Sequence, residues 1–143
     1  MIPSIDLEAL SAGTPAALDA MREAATGVGF ATVHNTALSG ARVREVIETY
    51  RAFFKLPDAQ KQPYSMAGTG ANRGWGAAGT ERVDPDANPD YKQYFDSGVT
   101  LPESDARREM AVYAPNIWPA APEGFARVIS AYYDDARGVA MAV

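Results

Sequence analysis

Residues 39–64 read SGARVREVIETYRAFFKLPDAQKQPY, and the fold turns on how this stretch is read. Val43, Val46, Ile47, Tyr50, Phe53 and Phe54 recur at three- and four-residue spacing, which puts them on one broad stripe of a helix. Ser39 carries an oxygen suited to capping the first turn. Pro57 ends the helix, and its fixed φ suits the start of a further short helix, PDAQKQ. A helix with two adjacent phenylalanines at its end needs an apolar partner, so the flanking segments are read for what can pack on it.

Upstream, PSIDL at residues 3–7 reads as a short strand with Ile5 and Leu7 on one face. A helix is expected to start with Thr14 as N-cap and Pro15 at its first position, to bury Leu18, Met21, Ala25 and Val28, and to stop at Gly27 and Gly29. Phe30 to Val33 reads as a strand. Downstream, Met66 to Asn88 has no periodicity and reads as a long loop, Tyr91 to Val99 as a strand, and Leu101 to Ala121 as loop with a helical turn in SDARREM. From Pro122 onward, Phe125, Val128, Ile129, Tyr132, Ala136, Val139 and Ala140 keep helical spacing up to Val143, with no glycine cap. The expectation is an element cut before its partner. The fold class is α+β, helices with a few short strands.

Composition removes several function classes. The chain has 143 residues, enough for one domain with a core. Its 13 basic and 18 acidic residues, net charge −5, include no Lys/Arg cluster that would displace counterions from a phosphate backbone, so nucleic acid is not an expected partner. The densest basic spot, Arg107-Arg108 between Asp105 and Glu109, reads as a solvated face. The absence of cysteine excludes disulfides, zinc–thiolate sites and thiol nucleophiles. The N-terminus has no basic n-region, and the longest stretch free of Lys, Arg, Asp and Glu, residues 24–41, is too polar to span a bilayer. A soluble, cytoplasmic protein is expected.

His34 is the only histidine, so a non-haem iron site with two histidines and a carboxylate cannot be assembled from this chain, nor a zinc site with two or three. No GxSxG elbow is present. Residues 74–79 match GxGxxG, yet the preceding SMAGTGANR is poor strand and the following TERVDPDANPD is broken by two prolines, against a dinucleotide site. Glu81, Asp84, Asp86 and Asp90 lack the glycine and terminal glutamate of a calcium loop and read as solvated charge. Two clusters remain: Asn72, Arg73, Trp75 and Glu81 around a glycine-rich loop, and Tyr91, Tyr94 and Phe95 on the next strand. Arg73 is suited to pair with a carboxylate, and Trp75 with the tyrosines to form an apolar wall; ordinary packing is the plainer account of each.

The order of segments resembles the N-terminal region of the isopenicillin N synthase-like 2-oxoglutarate/Fe(II)-dependent dioxygenases. IPSIDL at residues 2–7 is similar to the family's opening strand, and GVGFATVHNTAL to its glycine–phenylalanine strand and turn. YRAFFKLPDAQKQPY resembles its Phe-Phe…Leu-Pro…Lys helix end, the most specific match. NRGWGAAGTERVDPDANPDYKQYFDSGV and APNIWPAAPEGFARVISAYYDDARGVAM resemble the later Gly-aromatic, glutamate and strand segment and the Pro-Asn-x-Trp-Pro motif with its long helix. The family often has Asn-His-Gly where this chain has Asn35-Thr36-Ala37.

The resemblance implies the N-terminal part of a double-stranded β-helix (jelly-roll) oxygenase whose catalytic barrel is absent from this chain. Residues 1–121 would be the dioxygenase N-terminal domain and residues 122–143 the start of the long helix leading to that barrel. Fe(II) and 2-oxoglutarate are implied for the full-length family, whose HxD…H and RxS motifs lie downstream; neither motif occurs here. No catalytic or metal-ligating residue is therefore assigned, and Arg73, Trp75, Glu81, Tyr94 and Phe95 are carried over as substrate-binding candidates. The expected partners are the barrel, in cis or in trans, and a small-molecule substrate. Phe125, Ile129, Tyr132 and Val139 of the terminal helix are expected to be exposed without the barrel and to support self-association. The alternative is a stand-alone interaction or ligand-binding module with this fold and no catalysis.

Overall fold

The computed structural model describes residues 1–82 and 88–143. It divides into two compact units, Met1–Arg44 with Ala131–Val143, and Glu45–Ser130.

In the first unit, strand β1 (Ser4–Asp6) pairs in parallel with β2 (Thr32–His34), Ile5 opposite Val33. The first strand ends earlier than its pattern suggests because Asp6 becomes a helix cap. Its carboxylate accepts the Ala9 N–H at 3.0 Å, and helix α1 (Leu7–Ser11) begins at the next residue. Leu7 is still buried, but from a helix. The Ala9 N–H and then the Asn35 side-chain amide, at 2.8 Å, stabilise the charged form and hold the Asp6 carboxyl below its usual value. Asn35 has a left-handed φ of 52°, which asparagine tolerates better than most residues.

Helix α2 (Pro15–Glu23) starts at Pro15 as expected, but the Thr14 hydroxyl donates to the Ala9 carbonyl at 3.1 Å and does not cap. Its buried face also differs from the expected stripe. Ala17 and Ala24 are buried, while Leu18 and Val28 are 44% and 46% exposed, the small side chains facing inward where α2 lies against β1. The last turn, Ala24–Val28, widens to π-helical pitch with Gly27 inside it, and Gly29, at φ 77°, ends it. Phe30, read as strand, lies outside β2 and is exposed.

The second unit is built on helix α3 (Gly40–Phe54), of which it holds the part from Glu45. The Ser39 hydroxyl accepts the Arg42 N–H at 3.1 Å, the expected cap. Val46 and Phe53 are buried, whereas Ile47 is exposed. Helix α4 (Asp58–Lys61) follows, then single turns at Gln62–Tyr64 and Met66–Gly68. Strand β3 (Gly74–Gly76) pairs antiparallel with β4 (Tyr94–Asp96), Trp75 opposite Phe95 and Gly76 opposite Tyr94. β3 lies inside the stretch read as loop. Gly-Trp-Gly has little strand propensity, and its conformation is imposed by β4 and by a parallel bridge to Ser65. Short turns at Ala106–Glu109 and Ala111–Tyr113 precede helix α5 (Phe125–Ala142).

The core of this unit is aromatic. Phe53 lies 5.3 Å from both Phe95 and Phe125, Phe95 lies 5.0 Å from Phe125, and Trp118 stacks on Phe95 at 6.4 Å. This cluster corrects one expectation. Phe125 and Ile129 do not wait for an outside partner: they are 1% and 2% exposed, because the rings of Phe53, Phe95 and Tyr50 already cover the first turn of α5. Tyr132 and Val139 are half-buried. The Pro-Asn-x-Trp-Pro segment clips the core shut. Asn116 exchanges two 2.8 Å hydrogen bonds with the Gly98 backbone, as a paired strand would, and the Ala120 N–H donates to the Tyr64 hydroxyl at 3.1 Å.

Beside this cluster sits a buried lysine. Lys61 is 1% exposed; its Nζ donates to the Gln93 side-chain oxygen at 2.6 Å and the Phe54 carbonyl at 3.3 Å. It also pairs with Asp58 at 2.9 Å and lies 5.0 Å over the Trp75 ring. Lys61→Met keeps the volume but leaves the Phe54 carbonyl unpaired and Gln93 short of a donor. A loss of roughly 2–3 kcal/mol is expected by urea denaturation; an unchanged midpoint would mean that the buried charge contributes nothing net.

Candidate functional site

Side chains alternate across a strand, so β4 sends Tyr94 and Asp96 to one side and Phe95 to the other. Phe95 enters the aromatic core. Tyr94 faces an open cleft of about 350 Å³ bounded by Ser65–Ala67, Gly70–Asn72 and Ala77, with the β3 strand at Trp75 and Gly76 as its floor. The Tyr94 ring lies flat on Gly76, where a Cβ would overlap it. A second hollow, of about 380 Å³, shares Met66, Asn72 and Tyr94 with the first and adds Glu81, Lys92 and Asp96. The combined cleft is therefore apolar at one end and charged at the other.

Local hydrogen bonds shape these walls. The Thr69 hydroxyl donates within a tight turn to the Met66 and Ala71 carbonyls, at 2.9 and 2.6 Å, and accepts the Ala71 N–H at 3.2 Å. Trp75 is anchored by its indole N–H, which donates to Gln93 at 3.0 Å. At the charged end, Lys92 pairs with Glu81 at 2.8 Å and Asp90 at 3.1 Å, and those hydrogen bonds, Glu81 first, hold its ammonium above the usual lysine value. The backbones of Glu81 and Asp90 are joined by a 2.9 Å bond. Asp84 and Asp86, read as solvated charge, lie outside the described residues.

Of the five candidate residues, Glu81 and Tyr94 meet at this cleft, while Trp75 borders it only along the strand: its ring, opposite Phe95 and 2% exposed, turns inward under Lys61. Phe95 does not, because strand alternation turns it inward. Arg73 does not either. It is 8% exposed, and its guanidinium donates to the Asn72 and Val112 carbonyls, both at 2.7 Å, against the bare face of Gly98. Its Nε is buried without a partner among the described residues. Buried and bonded to backbone oxygens, Arg73 holds the segment before β3 and lines neither hollow. Met66, Lys92 and Asp96 were missed, although period-two spacing from Tyr94 already puts Lys92 and Asp96 on its side. Gly74 to Gly76 form a strand where a phosphate-binding loop needs a turn into a helix, so the GxGxxG match carries no nucleotide site.

His34 is engaged within the first unit: its Nδ1 hydrogen-bonds the Ile5 carbonyl at 2.9 Å, and its Nε2 is 3.9 Å from Asp6. Among the described residues no three of His, Cys, Asp or Glu are grouped to hold a metal ion. The donor set of the described residues therefore does not fit an iron centre. Nor, among them, is any helix long and apolar enough to cross a membrane.

Comparison with known proteins identifies the fold. Residues 2–121 match the family described as non-haem dioxygenase in morphine synthesis, N-terminal, and the chain belongs to that family. A 2-oxoglutarate-dependent dioxygenase, frbJ, of Dothideomycetidae sp. (strain 11243) is 31% identical over 82% of this chain and 32% of its own length. A 2-oxoglutarate-dependent dioxygenase of Didymella fabae is 30% identical over 71% of this chain and 31% of its own length. The chain thus spans about a third of the length of these curated relatives. Among solved structures, a 2OG-Fe(II) oxygenase family protein from Caulobacter crescentus superposes with a TM-score of 0.75 at 24% identity, covering 99% of this chain and 47% of that one. A full-length Neurospora crassa protein, solved in complex with alpha-KG, gives 0.74 at 25% identity, covering 97% of this chain and 44% of that one. The family implies Fe(II) and 2-oxoglutarate, and the relatives are 2-oxoglutarate-dependent dioxygenases.

Gly76→Ala is expected to lift the Tyr94 ring off the strand into the cleft and to cost roughly 1–3 kcal/mol. The Tyr94 ring signals in NMR and a denaturation curve report both effects. Unchanged signals and stability would show that the ring does not rest on the glycine.

Proposed function

We propose that this chain is the N-terminal scaffold and substrate-wall domain of an Fe(II)/2-oxoglutarate-dependent oxygenase acting on a small molecule, and that it is not catalytic by itself. The observation that carries this reading is the convergence of Glu81 and Tyr94 on one cleft within a chain of this family. Tyr94 comes to face this cleft because β4 returns antiparallel along β3. The less polar end, lined by Met66, Ala67, Ala71 and Ala77, suits the body of a small substrate, and Glu81, Lys92 and Asp96 suit its polar groups. Iron and 2-oxoglutarate would be held by residues outside this chain, in a barrel joined to it in cis or supplied in trans. The coverage of about a third of each curated relative supports that division of labour.

The test is a succinate assay with Fe(II), 2-oxoglutarate and oxygen. The 143-residue chain alone is expected to form no more succinate than iron without protein, and a protein joining it to the barrel is expected to turn over. Iron-dependent succinate formation by the chain alone would contradict the reading.

A further inference from the structure

Away from the cleft, the second unit holds a smaller and more enclosed hollow, of about 140 Å³, that shares none of the cleft's residues. Its apolar lining includes Val99, Leu101 and Trp118, and its polar lining Thr100, Arg108 and Tyr113. The two neighbouring arginines here have opposite fates. Arg107 grips Asp105 through Nε, at 3.0 and 3.2 Å, and through Nη2, at 2.6 Å, and lies 5.5 Å over the Tyr113 ring. That grip holds the Asp105 carboxyl down at about 2, so this acid is engaged by Arg107. The Arg108 side chain has no hydrogen bond or ion pair among the described residues, and neither Glu103 nor Glu109 pairs with it.

The hydroxyl beside it is poised to donate. Asn116 gives one amide hydrogen to the Gly98 carbonyl at 2.8 Å and the other to Thr100 Oγ1 at 3.2 Å. Thr100 therefore accepts from Asn116 and keeps its own hydrogen for a second partner. An uncompensated guanidinium, a directed hydroxyl and apolar walls define one ligand class. Phosphate recognition draws on clusters of arginines, and only one is free here.

We propose that this hollow is a binding site for a small monocarboxylate with a short apolar or single-ring body. The carboxylate meets Arg108 and the Thr100 hydroxyl, and the body lies against Trp118, Val99 and Leu101. The hollow is well below the roughly 300 Å³ of a pocket for a drug-sized ligand, which limits the body to one ring or a short chain. The site is independent of the cleft and of the reading given to it.

Sodium benzoate is a suitable probe, followed through the indole N–H signals of the two tryptophans in NMR. Trp118 lines the hollow and Trp75 does not, so the second signal is an internal control. The expected result is a saturable shift of Trp118 with Trp75 unmoved. Arg108→Gln, on an exposed side chain, should weaken binding by at least about tenfold, and benzyl alcohol should bind the native protein more weakly by a similar factor. No saturable Trp118 shift into the tens of millimolar would overturn the proposal. So would equal benzoate affinity in Arg108→Gln, or equal affinity for benzyl alcohol, since the guanidinium would then recognise nothing.

Discussion

Burying the ammonium of Lys61 is the constraint from which the second unit follows. Taking a charge out of water is tolerable only where its hydrogens all find acceptors. Here those acceptors come from three places: the carbonyl of Phe54 at the end of α3, the carboxylate of Asp58 at the start of α4, and the amide oxygen of Gln93 just before β4. The face of Trp75, on β3, covers the group. The charge is satisfied only when the helix end and both strands are in place, so it fixes the ribbon against α3. Gln93 doubles as acceptor for the Trp75 indole, which ties the two strands together through side chains as well as through the ladder.

Once the ribbon is fixed, its two faces divide the labour. Phe95 is drawn inward by Phe53 and Phe125, and alternation then has to send Tyr94 and Asp96 outward. Two glycines permit the close approaches this needs. Gly76 lets the Tyr94 ring lie flat, and Gly98 lets the Arg73 guanidinium fill the space where a side chain would stand. The cleft is thus a by-product of core packing.

Much of this was legible in the sequence, and the failures have identifiable causes. The α3 stripe, its Ser39 cap and the break at Pro57 were readable because a long amphipathic helix repeats its signal over several turns. Strand β3 was not, since three residues carry no periodicity and Gly-Trp-Gly becomes a strand only against β4. Leu7 illustrates competition between local signals: it fits a strand alternation with Ile5, but the cap made by Asp6 turns it into the first residue of a helix. For Arg73, chemistry was read without burial; a guanidinium suited to a carboxylate is equally suited to two backbone carbonyls. Phe125 and Ile129 erred the other way, because helical spacing alone does not say that the covering rings come from the same chain.

The fold belongs to a family of oxygenase N-terminal domains, and what this chain adds is a cleft with an apolar floor and a charged rim. The most direct measurement on that account is the coupling of succinate formation to substrate oxidation in a protein joining this domain to the proposed barrel, native and with Tyr94→Ala. If Tyr94 is part of the substrate wall, the variant's KM for substrate rises and succinate is formed without matching oxidised product, while the KM for 2-oxoglutarate is unchanged. Native KM and native coupling in the variant would contradict the assignment of the cleft to substrate.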